Sequence, residues 1–152
     1  MRSRVPLAVL VLLTVSAAPV CASGFDDKIP DQQSIDALLA RANQAQPREQ
    51  CFLYAELVHE MTELSLRQYA AGDAAKATEM LKQIQLLAQK IHLSVADDNK
   101  RLKDAEILLR HTAFRLNEML HNSSFEDRTL LEQTLAQVNQ AQNDAMMQVF
   151  RK

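Results

Sequence analysis

The sequence predicts an all-α protein: an antiparallel four-helix bundle with a short additional N-terminal helix, after a cleaved signal peptide. Apolar side chains recur every three or four positions from Arg48 to Lys152. Gly72 is the one strong helix breaker in that stretch, because the last proline is Pro47. No run of residues alternates between apolar and polar as a half-buried strand would.

The first 22 residues have the order of a secretory signal peptide. Arg2 and Arg4 give a positive start, an apolar run follows from Val5 to Val15, and small residues precede the cleavage site. We expect cleavage after Ala22, which predicts a secreted or periplasmic protein. Lipidation of Cys21 is the alternative and would anchor the chain, but it requires a small residue immediately before the cysteine, where this sequence has valine.

Cleavage leaves a flexible N-terminal tether, residues 23–33, and one helical-bundle domain, residues 34–152. The whole sequence has 17 Lys and Arg against 19 Asp and Glu, so losing Arg2 and Arg4 leaves 15 against 19. We expect no nucleic-acid partner, because phosphate binding needs clustered cations. No transmembrane segment is expected in the mature chain, since no later segment is apolar over the roughly 20 residues that span a bilayer.

The first two helices are predicted on either side of Pro47. Ser34 is the expected cap of the short first helix, whose apolar side carries Ile35, Leu38, Leu39 and Ala42. The second helix runs from about Arg48 to Ala71 and ends at the turn formed by Gly72. Apolar residues surround most of its circumference, which predicts that it is the most enclosed element.

Three further helices follow the glycine turn. The third, from about Asp73 to Leu93, carries the apolar stripe Ala77, Met80, Leu81, Ile84, Leu87, Ala88 and Ile91. Polar residues 97–100 begin the fourth, with the seam Leu102, Ala105, Leu109, Thr112, Leu116 and Met119. Ser123 and Glu126 have capping-box spacing and start the fifth, which would bury Leu131, Leu135, Val138, Ala141, Ala145 and Val149. Short connections predict antiparallel neighbours.

Residues 65–77 resemble the turn of a tetratricopeptide repeat: a tyrosine near the end of one helix, a Gly-Asp turn and a helix that begins with alanines. Pro47 and Gly72 are 25 residues apart in this chain, whereas a 34-residue repeat would place them about 17 apart. No second copy of the turn occurs. The segment is therefore interpreted as a generic helical hairpin, and no family is assigned.

Two Glu-x-x-His pairs, Glu56 to His59 and Glu118 to His121, have the spacing used by carboxylate-bridged di-iron bundles. The remaining glutamates of such a site would be Glu79 and Glu132. Helical geometry disfavours it: at 100° per residue both glutamates of the pairs point away from the predicted core, and the two histidines differ in depth by about 20 Å. Surface charge is the preferred interpretation.

Other candidate sites are also incomplete. Residues 59–63 begin like a zinc-protease helix, but Glu63 stands where the second histidine is needed. Haem ligation by Met61 or Met80 together with His92 is left open, although methionines at helical spacing are usually core residues. We predict no catalytic residue, no metal ligand and no cofactor.

Cys51 is the single cysteine that remains after the predicted cleavage, so no internal disulfide can form. It lies close to the centre of the predicted core face of the second helix. We interpret it as a buried, inert thiol. An intermolecular disulfide and a redox site are the alternatives.

Four apolar residues lie outside the predicted seams: Leu86 and Leu93 on the third helix, and Ile107 and Phe114 on the fourth. We expect the short first helix to cover them; otherwise they form a partner groove or a dimer face. The leading functional hypothesis takes the second option: an exported, non-enzymatic protein-interaction or structural module that binds a protein partner or itself through these four residues. The alternative function is a small-molecule, haem or metal carrier that uses the bundle interior.

Overall fold

The computed structural model describes residues 30–96 and 98–151. These residues form α1 (Gln32–Gln44), α2 (Pro47–Ala70), α3 (Ala74–Ser94), α4 (Leu102–His121) and α5 (Phe125–Phe150). No strand occurs among them, so the predicted all-α class is confirmed. The predicted signal peptide, its cleavage site and the tether as far as residue 29 lie outside the described residues.

Helix α1 begins earlier than predicted, and its cap is Asp31 instead of Ser34. The Asp31 carboxylate accepts a hydrogen bond from the Ser34 backbone N–H at 2.7 Å, and the Ser34 hydroxyl accepts one from the Asp31 N–H at 3.1 Å. Both residue types are good caps, and a spacing of three places the first at the N-cap and the second at N3. The predicted tether therefore overlaps the first two residues of α1.

Helix α5 is also capped one residue away from the predicted position. Ser124, not Ser123, is the N-cap, and its hydroxyl accepts from the Asp127 N–H at 3.4 Å. The hydroxyl of Tyr69, at the end of α2, accepts from the Ser124 N–H at 2.9 Å and donates to the Asp127 carboxylate at 3.1 Å. A contact between distant parts of the chain thus helps to fix where α5 begins, and the local capping pattern could not reveal it.

Of the polar residues expected to begin the fourth helix, residues 98–100 belong to a loop instead. Arg101 adopts the left-handed backbone conformation, with φ of 56°, immediately before α4. The Lys100 N–H donates to the Arg48 carbonyl at 2.8 Å, and the Asn99 side chain donates to the Ser94 carbonyl at 2.8 Å. These bonds hold the α3–α4 loop against the start of α2.

The four long helices form a square with the order α2, α3, α5, α4. Helix α2 packs against α3 and α4, and α5 packs against the same two helices, whereas α3 and α4 share no packing contact in the described part of the chain. Helix α1 lies outside the square and packs on α2 alone. The helices α3 and α4 therefore occupy diagonal corners.

The α2–α3 and α4–α5 pairs are antiparallel. Ser65, late in α2, donates to the carbonyl of Ala77, early in α3, while the Lys90 ammonium lies 5.5 Å from the ring centroid of Tyr54 at the other end. In the second pair, Gln142 late in α5 donates to Glu106 early in α4 at 2.9 Å. Short turns join the helices of each pair, as the sequence predicts.

The contacts between these two hairpins run in the opposite sense. His59 and Glu63 of α2 contact Thr112 and Arg115 of α4, so contacts advance together along both chains. Gln85 and His92 of α3 advance in the same way along Thr134 and Asp144 of α5. Helices α2 and α4 are therefore parallel, as are α3 and α5. Helices consecutive in the chain alternate in direction, as short connections predict, but the packed neighbours between the two hairpins do not. Heptad spacing does not specify which helices become neighbours.

The core confirms most of the predicted seams. Helix α2 contributes more buried residues than any other element in the described part of the chain, as its apolar circumference predicts. The predicted stripes of α3 and α4 are buried throughout. In α5, Leu135 and Val149 are only partly buried, and Thr134 is buried instead. Its hydroxyl donates to the Leu130 carbonyl at 2.7 Å and accepts from Gln85 at 3.0 Å, which satisfies its polar atom.

Candidate functional site

Two pairs of large apolar side chains are exposed on the bundle. On α3, Leu86 and Leu93 are 62% and 81% exposed; on α4, Ile107 and Phe114 are 43% and 59% exposed. Residues seven apart on a helix lie along one line of its surface. We call the first pair the α3 strip and the second pair the α4 strip.

Helix α1 does not cover either strip, so that expectation is wrong. Its buried residues Ile35 and Ala42 face α2, the one helix that it contacts. Arg41 of α1 donates to Glu56 of α2 at 2.7 Å, and Asn43 accepts from the Tyr54 hydroxyl at 3.0 Å. These contacts fix α1 on the outer side of α2, away from the exposed faces of α3 and α4.

The two strips cannot form one continuous surface. Each strip lies opposite the buried face of its own helix, and those helices occupy diagonal corners of the square. The α3 strip and the α4 strip therefore face away from each other. The structure divides the four residues predicted as one contact surface into two separate surfaces.

Polar residues border both strips. On α3, Gln89 and Lys90 lie between Leu86 and Leu93, and the Lys90 ammonium is held over the Tyr54 ring. On α4, Arg110 and His111 lie between Ile107 and Phe114, and the Arg110 guanidinium is 3.8 Å from the carboxylate of Glu106. An apolar strip with a polar border has the composition of a protein contact surface.

A polar cluster joins α2 to α4 beside the α4 strip. The Arg115 guanidinium donates to both carboxylate oxygens of Glu63, at 2.7 and 3.1 Å, and to Glu118 at 2.5 Å. The His59 ring nitrogen Nδ1 lies 3.2 Å from the Thr112 hydroxyl, and the His59 and His111 ring centroids are 5.2 Å apart. Through this bidentate ion pair with Glu63, Arg115 of α4 links its helix to the parallel helix α2.

The environment of this cluster shifts its proton affinities. Burial lowers the pKa of His59, and the nearby His111 and Arg115 charges lower it further against the opposing effect of Glu63. Burial alone would raise the pKa of Glu63, but the hydrogen bond and charge of Arg115 outweigh it and the net pKa is lowered. His59 is thus favoured as the neutral ring and Glu63 as the carboxylate.

The residues of the possible di-iron and zinc sites serve other contacts. Glu56 pairs with Arg41 and Glu118 with Arg115, while His121 lies on the surface and contacts the Asn117 carbonyl on its own helix. Within residues 30–96 and 98–151, no three His, Cys, Asp or Glu side chains come together as metal ligands would.

The possible haem ligands are too far apart to share one iron. Met80 and His92 are twelve residues apart on α3, which corresponds to about 18 Å along the helix. The Ser65–Ala77 contact places Met61 near the level of Leu81, about 16 Å from His92 along the axis. His92 instead pairs with Asp144 of α5 at the exposed end of the bundle.

Cys51 is fully buried and free, as predicted. Burial raises the pKa of its thiol to about 11, against smaller opposing contributions from hydrogen bonds with Asn99 and Ser94. The thiolate is the reactive form of cysteine, so Cys51 is protonated at neutral pH and shielded by the α3–α4 loop. The geometry gives no route to an intermolecular disulfide without opening that loop.

A cleft of about 650 Å³ lies between α1, the start of α2 and the α3–α4 loop. Its charged groups are already paired: Arg41 with Glu56 at 2.7 Å, and Lys100 with Glu49 at 2.8 Å. The Arg101 guanidinium stacks 3.6 Å from the ring centroid of Phe52. The sequence did not predict this cleft, because it depends on where α1 docks.

Sequence reasoning also missed exposed apolar residues on α5. Met147 and Phe150, near the end of α5, and Phe125 at its start are largely exposed. Counting 100° per residue from Val138 puts Met147 directly opposite the core, so its exposure could have been predicted from helical periodicity.

Among the helices that the structure describes, none combines the length and the apolar composition of a membrane-spanning segment.

Comparison of the chain with protein-family models, with curated proteins and with solved structures finds no match. The exposed surfaces of the bundle are therefore the evidence for its function.

Proposed function

We propose that this chain is an exported, non-enzymatic interaction module that binds protein partners through the α3 strip and the α4 strip. The observation that carries the proposal is the exposure of four large apolar side chains that α1 leaves uncovered. Fully burying a large apolar side chain is worth about 1.5–3 kcal/mol, and covering the exposed part of each of these four gains a fraction of that. A partner that buries a strip gains that free energy, whereas an uncovered strip is a liability in a monomer.

The spacing within each strip suggests the form of the partner. Two apolar residues seven positions apart present one side of a heptad seam, which an amphipathic helix can meet with its own apolar stripe. Because the strips face opposite directions, each strip accepts its own partner helix. The module then acts as a bridge between two partner surfaces.

Photo-crosslinking in the native cell tests this proposal. A photoreactive amino acid at position 114 or at position 93 is expected to capture a discrete protein, whereas the same residue at the exposed control position Ala37 on α1, away from both strips, captures none. Phe114→Asp should abolish capture from a probe at position 107 and leave thermal stability unchanged, because Phe114 is already solvated. Absence of any discrete product from both strips, or unfolding of Phe114→Asp, would overturn the proposal.

The cleft favours a second candidate, a small-molecule carrier that binds outside the bundle interior. Its volume of about 650 Å³ falls within the range of small-molecule sites, and Phe52 with Arg101 offers an aromatic and cationic wall. Native mass spectrometry of protein purified from its own compartment tests this function. A bound mass that disappears in Arg101→Gln, a change at an exposed residue of the cleft wall, but persists in Phe114→Asp would favour the carrier.

A further inference from the structure

The exposed side of α5 carries no charge over most of its length. From Gln133 to Phe150 the helix spans about 26 Å, and no side chain at an exposed position in this stretch is ionisable. The one charged residue of the stretch, Asp144, is turned toward α3, where it pairs with His92. We define the α5 face by its exposed residues Gln133, Ala136, Asn139, Gln140, Asn143 and Met147.

Exposed charged side chains on α5 are confined to its first turns, at Glu126, Arg128 and Glu132. The other described helices have no uncharged exposed stretch of comparable composition. Exposed charged side chains occur on each of them: Asp36 and Arg41 on α1, Arg48 and Arg67 on α2, Lys76, Glu79, Lys82 and Lys90 on α3, and Lys103, Asp104 and Arg110 on α4. Depletion of charge is the compositional mark of the centre of a protein interface. The α5 face therefore has the composition of a contact surface, independently of the two strips.

The chemistry of this face suits a second copy of the same surface. In a two-fold dimer each residue near the axis meets itself, so a Lys or Glu there would oppose an identical charge. Amide side chains avoid this conflict, because each Asn or Gln both donates and accepts hydrogen bonds. Ala136 leaves room for close approach, and Met147 supplies an exposed apolar side chain at one end.

We propose that two copies of this chain associate through the α5 face, with the α5 helices antiparallel and Gln140 near the two-fold axis. Positions 133 and 147 are equally distant from 140, so Met147 of one copy lies beside Gln133 of the other. The contact is narrow, which predicts a weak dimer with a dissociation constant above about 1 µM. Because the residues that define the α5 face carry no charge and Glu132 lies beyond its end, association is expected to depend only weakly on salt.

Sedimentation equilibrium of the protein, purified with the N-terminus that the cell leaves on it, tests the dimer. We expect reversible dimerisation between about 1 µM and 1 mM. Gln140→Glu places two like charges at the axis and should raise the dissociation constant at least about ten-fold. The matched control is Gln83→Glu on α3, an exposed position away from the α5 face, which should leave the dissociation constant unchanged.

Cysteine crosslinking gives a second readout, since the native Cys51 is buried. Gln140→Cys should form a covalent dimer under mild oxidation, whereas Gln83→Cys should not. A monomer at every concentration, equal weakening by the two glutamate variants, or a photoprobe at position 140 that captures only another protein would overturn the inference. Partner capture at position 114 is expected to persist in Gln140→Glu, so dimerisation and the proposed function fail separately.

Discussion

Asn99 closes the end of the bundle where the α3–α4 loop crosses α2. It is buried, its side chain donates to the Ser94 carbonyl at 2.8 Å, and it also contacts the Cys51 thiol. The neighbouring Lys100 N–H donates to the Arg48 carbonyl and so holds the loop against the start of α2. One buried amide thus links the loop, α3 and the only described cysteine.

Replacing Asn99 with alanine should open the loop and expose Cys51. The loss of the hydrogen bond leaves the Ser94 carbonyl unsatisfied, at a cost of about 1–3 kcal/mol. Labelling of Cys51 by a thiol reagent at pH 7.5 should be negligible in the native protein and measurable in Asn99→Ala. The control is Asn117→Ala, at an exposed position; rapid labelling of that control or of the native protein would contradict this account of the buried thiol.

His59 should make the protein less stable as the pH falls. Its pKa in the folded chain is lowered, first by burial, so the unfolded chain binds the proton more readily near pH 6.5. The stability associated with neutral His59 is present above that pH and is lost as the pH falls toward the lower folded pKa. Burial raises the pKa of Glu60 in the folded chain. The folded chain therefore binds that proton more readily than the unfolded chain, so protonation of Glu60 at lower pH favours folding, opposite to the effect of His59.

Urea unfolding between pH 7.5 and pH 5 isolates the histidine contribution. His59→Gln should have a flatter stability profile than the native protein across this range, because the substituted residue does not titrate. His121→Gln replaces an exposed histidine and should retain the native slope. Identical slopes for His59→Gln and the native protein would show that burial does not lower the pKa of His59.

Gly72 determines how the first long hairpin turns. It has φ of 83°, a conformation in which a side chain is strained, although a Cβ built there meets no atom within 4 Å. Gly72→Ala should therefore destabilise the protein by about 1–2 kcal/mol through backbone strain, not through a clash. Gly72→Asn should cost less, because asparagine tolerates the left-handed region. Thermal unfolding of both variants checks this order, and equal losses would contradict it.

At the level of elements, the sequence predicts helices better than it predicts their ends. The stripe from Ala77 to Ile91 identifies α3 because 3.6-residue periodicity is a local property. Helices α1 and α5 begin at other residues than predicted because two adequate capping residues lie close together at each start. In α5 the Tyr69 hydroxyl, from another helix, supports Ser124 as the cap. The spacing places the four strip residues outside the seams, where the structure exposes them, but the expectation that α1 covers them is wrong because α1 docks on α2.

At the level of the whole molecule, the order of helices around the square could not be predicted. Apolar stripes specify that each helix buries one face, but they leave open which neighbours it has and whether those neighbours are parallel. Long-range polar contacts such as Glu63–Arg115 and Gln85–Thr134 distinguish the arrangements. The location of the α3 and α4 strips on diagonal corners follows from this order, so it could not be read from spacing.

The centre of the square should be intolerant of larger side chains. Ala105 of α4 and Ala141 of α5 are fully buried, and small residues there permit the four helices to approach closely. Ala141→Leu adds three heavy atoms to a filled core and should cost about 1–3 kcal/mol or more, because neighbours must shift. Ala75→Leu, at an exposed position of α3, should be within about 0.5 kcal/mol of the native protein. Urea unfolding of the two variants checks the packing: an Ala141→Leu protein as stable as the native one would mean that the interior contains unfilled space, which would revive the interior as a ligand site.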